Sequence, residues 1–300
     1  MLARSLPALL LLITTACGAD EQPPLIVGEV ALPLQRFELT PAEYAQVQRA
    51  RMWALDECMT RFGIDLSLPA AKQARPVRSA ALVGHLRDRE PERHGYRGPV
   101  GYQDDLFTAA ARGVTKAVEV PAPYVPVFDG TVEQYGGRLV PPDGCDGEVK
   151  RRLDAGAGHL RDSLGDKRVV PSSTFTLIEQ EALARVERDD RYRAAQTRWS
   201  DCMDRAGYHY ATTADAEGDP RWATSVSITA VEPERDVTAE EIATATADTR
   251  CRDEVRLPGT ALRLHTEFQE KLIADRFTAL VQAKQLLDAQ LHNSALIGSG

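Results

Sequence analysis

The chain has 300 residues, 43% of them hydrophobic, and its 44 acidic and 36 basic side chains give a net charge of −8. That acidic balance argues against nucleic acid and anionic lipid surfaces as main partners, since both would repel it. Three Trp, eight Tyr and seven Phe are too few for an extended stacking platform for bases or sugars, while the length suffices for one large core or two smaller ones.

The N-terminus reads as an export signal over residues 1–16. Arg4 precedes an apolar run from Leu6 to Ile13, and Thr14-Thr15-Ala16 supplies small residues before Cys17. The run is shorter than the roughly 20 residues a membrane-spanning helix needs. Ala16-Cys17 resembles a bacterial lipobox, although Thr14 stands where leucine is usual. The resemblance implies that the Cys17 thiol carries diacylglycerol, with the membrane lipid as first partner, because stable anchoring takes more than one acyl chain. Residues 17–37, with Pro23, Pro24 and Pro33 and no periodicity, are expected to form a flexible lipid-anchored tether.

Thr40-Pro41-Ala42-Glu43 combines a capping box with proline at the first helical position. It predicts a helix whose stripe Tyr44, Val47, Arg51, Leu55, Cys58, Phe62 runs to a stop at Gly63. A helix is expected around Ala70–Arg89, followed by a solvated loop in the polar run Arg87–Gly95. From Val114 to Pro142, β-branched residues alternate with Pro121, Pro123 and Pro126, which predicts short edge strands or extended loops. Tyr135-Gly136-Gly137 and Pro142-Asp143-Gly144 mark turns, and Cys145 opens a short helix through Leu153. A boundary near residues 165–175 separates a first half, 38–170, from a second, 171–293.

The second half begins with a helix capped at Ser173 or Thr174, followed by the stripe Tyr192, Ala195, Trp199, Cys202, Ala206 ending at Gly207. Thr238-Ala239-Glu240-Glu241 starts another helix, with Ala243, Ala247, Cys251 and Val255 on one face. Leu257-Pro258-Gly259 reads as a break. A long last helix is expected from about Ala261 to Asn293, packed on the helix ending at Gly207 or used as a self-association seam, with 294–300 a disordered tail. The fold class is mainly α: helical hairpins or a bundle, with a long C-terminal helix and an irregular, Pro-rich middle.

One octapeptide occurs twice, as Glu57-Cys58-Met59-Thr60-Arg61-Phe62-Gly63-Ile64 and as Asp201-Cys202-Met203-Asp204-Arg205-Ala206-Gly207-Tyr208. Besides Cys17 there are four cysteines, which in an oxidising compartment read as disulfides with three connectivities open. Treating each copy as one module favours Cys58–Cys145 and Cys202–Cys251. No cysteine has a Cys or His neighbour at zinc-ligand spacing, so no metal and no cofactor are expected. Within each copy the cysteine reads as core, the methionine as gap filler, and the arginine as a partner of the helix dipole.

Catalytic patterns are thin. Asp201 and Asp204 read as a solvated helix face and His209 as a strand or turn residue. There is no His-Glu-x-x-His, Gly-x-Ser-x-Gly or phosphate-loop motif, and no catalytic residue is assigned. The octapeptides, the run Tyr135–Cys145 and the segment Glu240–Asp248 leading to Cys251 together resemble a group of uncharacterised actinobacterial lipoproteins and secreted proteins. That resemblance implies an envelope location and the four-cysteine framework, and no activity. The expected role is a non-catalytic binding or accessory function at the outer face of the cell membrane, with an envelope protein as a further partner. The alternatives are a cell-wall hydrolase and a lipoprotein that captures a hydrophobic ligand in a closed apolar pocket.

Overall fold

The computed structural model describes residues 22–114, 118–160, 169–222 and 236–297. The signal segment 1–16, Cys17 and the end of the chain at 298–300 lie outside the described residues. Among the described residues twelve α-helices run in chain order: α1 (Pro41–Thr60), α2 (Arg78–Leu82), α3 (Pro91–His94), α4 (Tyr102–Ala110), α5 (Val125–Asp129), α6 (Gly144–Leu153), α7 (Pro171–Arg188), α8 (Asp190–Arg205), α9 (Thr213–Glu217), α10 (Ala239–Glu254), α11 (Leu257–Asp275) and α12 (Phe277–Ile297). The one hairpin among the described residues, β1 (Gln134–Tyr135) with β2 (Arg138–Leu139), turns through Gly136 and Gly137, both at positive φ. The fold is mainly α, as the sequence predicts.

Local chemistry starts the helices where the sequence marks them. The Thr40 hydroxyl accepts from the Glu43 amide while the Glu43 carboxylate accepts from Thr40, closing the capping box of α1. Thr238 caps α10 by accepting from the Glu241 amide. Proline placement explains two departures. Pro126 and Pro258 each sit in the first turn of a helix, where the missing N–H costs nothing. Part of the middle segment expected to be extended is therefore helical, and Leu257-Pro258-Gly259 begins α11 instead of breaking the chain.

Four apolar clusters tie these elements together. The central one joins Leu34 and Phe37 to α1, α7, α11 and α12 through residues such as Val47, Phe175, Ile178, Leu272 and Leu286. Each such side chain, fully buried, stabilises the fold by about 1.5–3 kcal/mol. A second cluster surrounds Cys58 and Cys145 and takes in Ile297 of α12; a third surrounds Cys202 and Cys251 and takes in Leu86 and Tyr96. The two expected halves therefore exchange elements: α12 packs on α1 and α6, and α10 packs on α3.

The C-terminal region is two helices, not one. Arg276 leaves helical geometry and separates α11, which packs on α7 and α8, from the long C-terminal helix α12, which packs on α1 and α7. The expected partner, the helix ending at Gly207, packs on α11. Residues 294–297 extend α12, with Ser294 and Ile297 buried, so the tail is ordered to that point. No helix among the described residues is long and apolar enough to cross a membrane.

The expected tether also changes. Ile26, Val30 and Leu32 pack with Ala80, Val83 and Ala261 in the fourth cluster. Pro33–Phe37 forms a 3-10 turn, the Leu34 amide donates to Gln269 Oε1 at 3.0 Å, and Gln35 Nε2 donates to Ser79 Oγ at 2.7 Å. Apolar residues at 26, 30, 32 and 34 make this stretch a strap across α2 and α11. From Ile26 onward it belongs to the body.

Candidate functional site

The two cysteine modules share one construction. Disulfides join Cys58 to Cys145 and Cys202 to Cys251, with Cα–Cα separations of 5.7 and 5.6 Å. Three residues beyond the first cysteine of each module, Arg61 and Arg205 reach Glu148 and Glu254 at 2.6 and 2.9 Å. Those glutamates lie three residues beyond the second cysteine. Each module's first helix ends at a glycine with positive φ, Gly63 (+72°) or Gly207 (+88°). The following amide, of Ile64 or Tyr208, then donates back to the carbonyl of Met59 or Met203. Both methionines are fully buried. The octapeptide is thus a helix stop beside a covalent staple, and its arginine answers a side chain as well as the dipole.

The copies differ three residues before each cysteine. The first module has Leu55 and Pro142; the second has Trp199 and Asp248. Leu55 is buried in the apolar cluster of the first staple. In the second, Asp248 on α10 is 0% exposed and Arg252, one turn on, is 2% exposed. The Asp248 carboxylate accepts from Trp199 Nε1 (2.7 Å) and Arg252 Nε (2.7 Å) on one oxygen. On the other it accepts from Tyr96 Oη (3.0 Å) and an Arg252 terminal nitrogen (2.9 Å). Arg252 also donates to Glu217 Oε1 at 3.0 Å and to the Gly84 carbonyl at 2.8 Å. Arg89 completes the chain, donating to Glu217 Oε2 at 2.9 Å and the Tyr96 carbonyl at 3.0 Å.

Electrostatics follow from this geometry. Burial pushes the Glu217 carboxyl up, but the Arg89 and Arg252 guanidiniums together outweigh it and hold it below the usual range. Burial likewise works against the Arg252 charge, and Asp248 and Glu217 reverse it, so the guanidinium is held more firmly than usual. Burial, then the Asp248 charge, raises the Tyr96 phenol. With four donors on one carboxylate, Asp248 has no lone pair positioned to take a substrate proton.

This network forms the floor of a cleft of about 790 Å³. Its walls come from α2 and the segment after it (Leu82, Arg89, Tyr96), from α4 (Gln103, Leu106), from α8 (Tyr192, Gln196) and from the α9 region (Thr213, Trp222). Trp222 stacks on Tyr96 with ring centroids 5.9 Å apart, and its indole N–H donates to the Ala216 carbonyl. Gly95 has φ +58°, and a Cβ there would lie 2.7 Å from the Glu241 side chain, which accepts from the Tyr96 amide at 3.1 Å. That close approach fixes Tyr96 at the cleft floor.

Among the residues the sequence singled out, Cys58, Cys145, Cys202 and Cys251 form the two staples. Trp199 and Met203 sit in the third apolar cluster. His209 lies apart from the cleft: it is exposed and its Nδ1 meets Asp204 Oδ1 at 2.8 Å on the surface. Asp201 is exposed as well. Among the described residues no group of three His, Cys, Asp or Glu side chains is placed to hold a metal ion. The polar run Arg87–Gly95, expected to be a solvated loop, instead forms a 3-10 turn and α3, and sends Arg89 into the cleft floor. Asp248, Arg252, Glu217 and Tyr96 were not anticipated. The one legible signal was Asp248 and Arg252 at i, i+4 around Cys251.

The chain matches no family model, no curated protein and no solved structure.

Proposed function

We propose that this chain is an exported lipoprotein, held at the outer face of the cell membrane by acyl chains on Cys17, and that it serves as a non-catalytic binding protein whose ligand seat is the cleft beside the second staple. One observation carries the binding assignment. The chain contains its own control, because the first staple holds together around Leu55 with no buried charge at the matching positions. The second keeps Asp248 and Arg252 buried, with the partly exposed Glu217 and Arg89 beside them on the floor of an open cleft. Buried charge is a poor way to gain stability, so its presence in one copy alone favours a role in recognition. The saturated Asp248 carboxylate supports binding over acid–base chemistry.

The location rests on the signal-like segment, the lipobox resemblance and the likeness to actinobacterial envelope proteins. With the body beginning at Ile26, the link from Cys17 is short. Nine residues span at most about 32 Å, which keeps the body near the bilayer. Two measurements test the proposal. Cys17→Ser should release the protein from membranes and abolish fatty-acid labelling; unchanged partitioning would overturn the anchor. Amide hydrogen exchange with and without solubilised envelope material should show protection confined to 82–106 and 192–222. Unchanged exchange there would overturn the binding site.

A further inference from the structure

The charges at the cleft floor answer one another. Arg252 is matched by Asp248 and Glu217, and Arg89 by Glu217. An ionic ligand would have to break one of these pairs and leave a buried partner uncompensated, which is costly. The walls above carry two exposed charged residues, Glu187 and Arg193, the latter paired with Asp190 at 3.4 Å, and otherwise offer neutral groups held in place. Gln196 Nε2 donates to both Tyr192 Oη (3.1 Å) and Thr213 Oγ1 (3.2 Å), bridging α8 and α9. Gln103 Nε2 donates to the Arg97 carbonyl at 2.7 Å. Leu82 and Leu106 supply apolar surface between them. Fixed hydroxyls, planar amides and a planar ion pair present donors and acceptors side by side, which is what adjacent hydroxyl groups on a ring require.

The geometry points to a neutral saccharide as the ligand of this cleft, seated along Tyr192, Gln196 and Thr213 over the Arg89–Glu217 pair. The inference rests on the cleft being a ligand seat and adds the ligand's chemistry. The volume falls in the range of small-ligand sites, about 300–1,000 Å³, enough for a few sugar rings. The chain's scarcity of aromatic residues argues against a long stacking platform, whereas a cleft of this size needs only a few rings at its wall.

The test uses a soluble form of the chain beginning at residue 18, in a Trp53→Phe background so that fluorescence reports Trp199 and Trp222. Tetrasaccharides of glucose (α- and β-linked), mannose and N-acetylglucosamine are titrated in turn. At least one should change the emission saturably, and Gln196→Ala and Thr213→Val should each weaken it tenfold or more while the variant still unfolds in one cooperative thermal transition. Solubilised envelope material is then added after periodate oxidation or after protease digestion, and exchange at 82–106 and 192–222 is read. Protection that survives protease and disappears with periodate supports the saccharide. Protection lost to protease and kept after periodate overturns it, with the binding reading intact. No protection from any preparation overturns both.

Discussion

Trp199 donates its indole N–H to the Asp248 carboxylate at 2.7 Å, joining α8 to α10 beside the Cys202–Cys251 bond. At the matching places in the other module stand Leu55 and Pro142, which have no such bond to make. A repeated staple has thus been fitted with two different interiors, one apolar and one ionic. The difference marks the cleft more sharply than any motif in the sequence.

The ionic interior should be costly to break and cheaper to remove whole. Arg252→Met strands the Asp248 carboxylate and should lower stability by about 3–5 kcal/mol. The double variant Asp248→Leu with Arg252→Met should recover a substantial part of that loss, since both charges leave together. Urea unfolding of the two single variants and the double gives the coupling; additive losses would show that the pair does not act as a unit.

The staples should dominate over the ion pairs beside them. Loops closed by Cys58–Cys145 and Cys202–Cys251 span 87 and 49 residues, for which chain entropy gives about 4–5 kcal/mol each as an upper figure. The adjacent pairs Arg61–Glu148 and Arg205–Glu254 have partly or largely exposed side chains, so double-mutant cycles should return less than about 1 kcal/mol. Cys-to-Ala pairs compared with Arg-to-Ala variants in denaturant midpoints check the ranking.

Glycine substitutions should separate conformational strain from collision. Gly63 and Gly207 have positive φ and open space around an added Cβ, so alanine at either should cost about 1–2 kcal/mol, and asparagine less. At Gly259 an added Cβ would lie 1.9 Å from the Pro24 carbonyl oxygen. Gly259→Ala should therefore displace the N-terminal strap, seen as faster proteolysis or exchange at residues 24–32. An unaltered strap would show that the contact is dispensable.

Acid should weaken the fold through His265. Burial on α11 drives its pKa down to about 4 against a small opposing pull from the Leu82 backbone. The folded value lies below the unfolded value near 6.5, so the neutral ring's contribution is complete above that pH. It is lost progressively as pH falls toward 4, by about 3 kcal/mol in all. His265→Gln should flatten this part of the stability profile, and superimposable profiles would assign the acid sensitivity elsewhere.

By itself the sequence determined what is local or covalent. The capping box at Thr40, the cap at Thr238, the stops at Gly63 and Gly207 and the helical class follow from neighbours within a few residues, and the duplication singled out the cysteine pairs. Tertiary structure decided the rest, because it depends on which faces meet. Arg89 looked solvated within a charged run until Glu217, 128 residues away, drew it inward. The strap looked like a tether until α2 and α11 supplied a surface for Ile26, Val30 and Leu32. One helix became two at Arg276, so that α11 reaches α8 and α12 reaches α1 while both pack on α7. Even the repeat was half legible: its shared residues spelled out the staple, while the chemistry lay three residues before each cysteine, where no local rule tells Leu55 from Trp199.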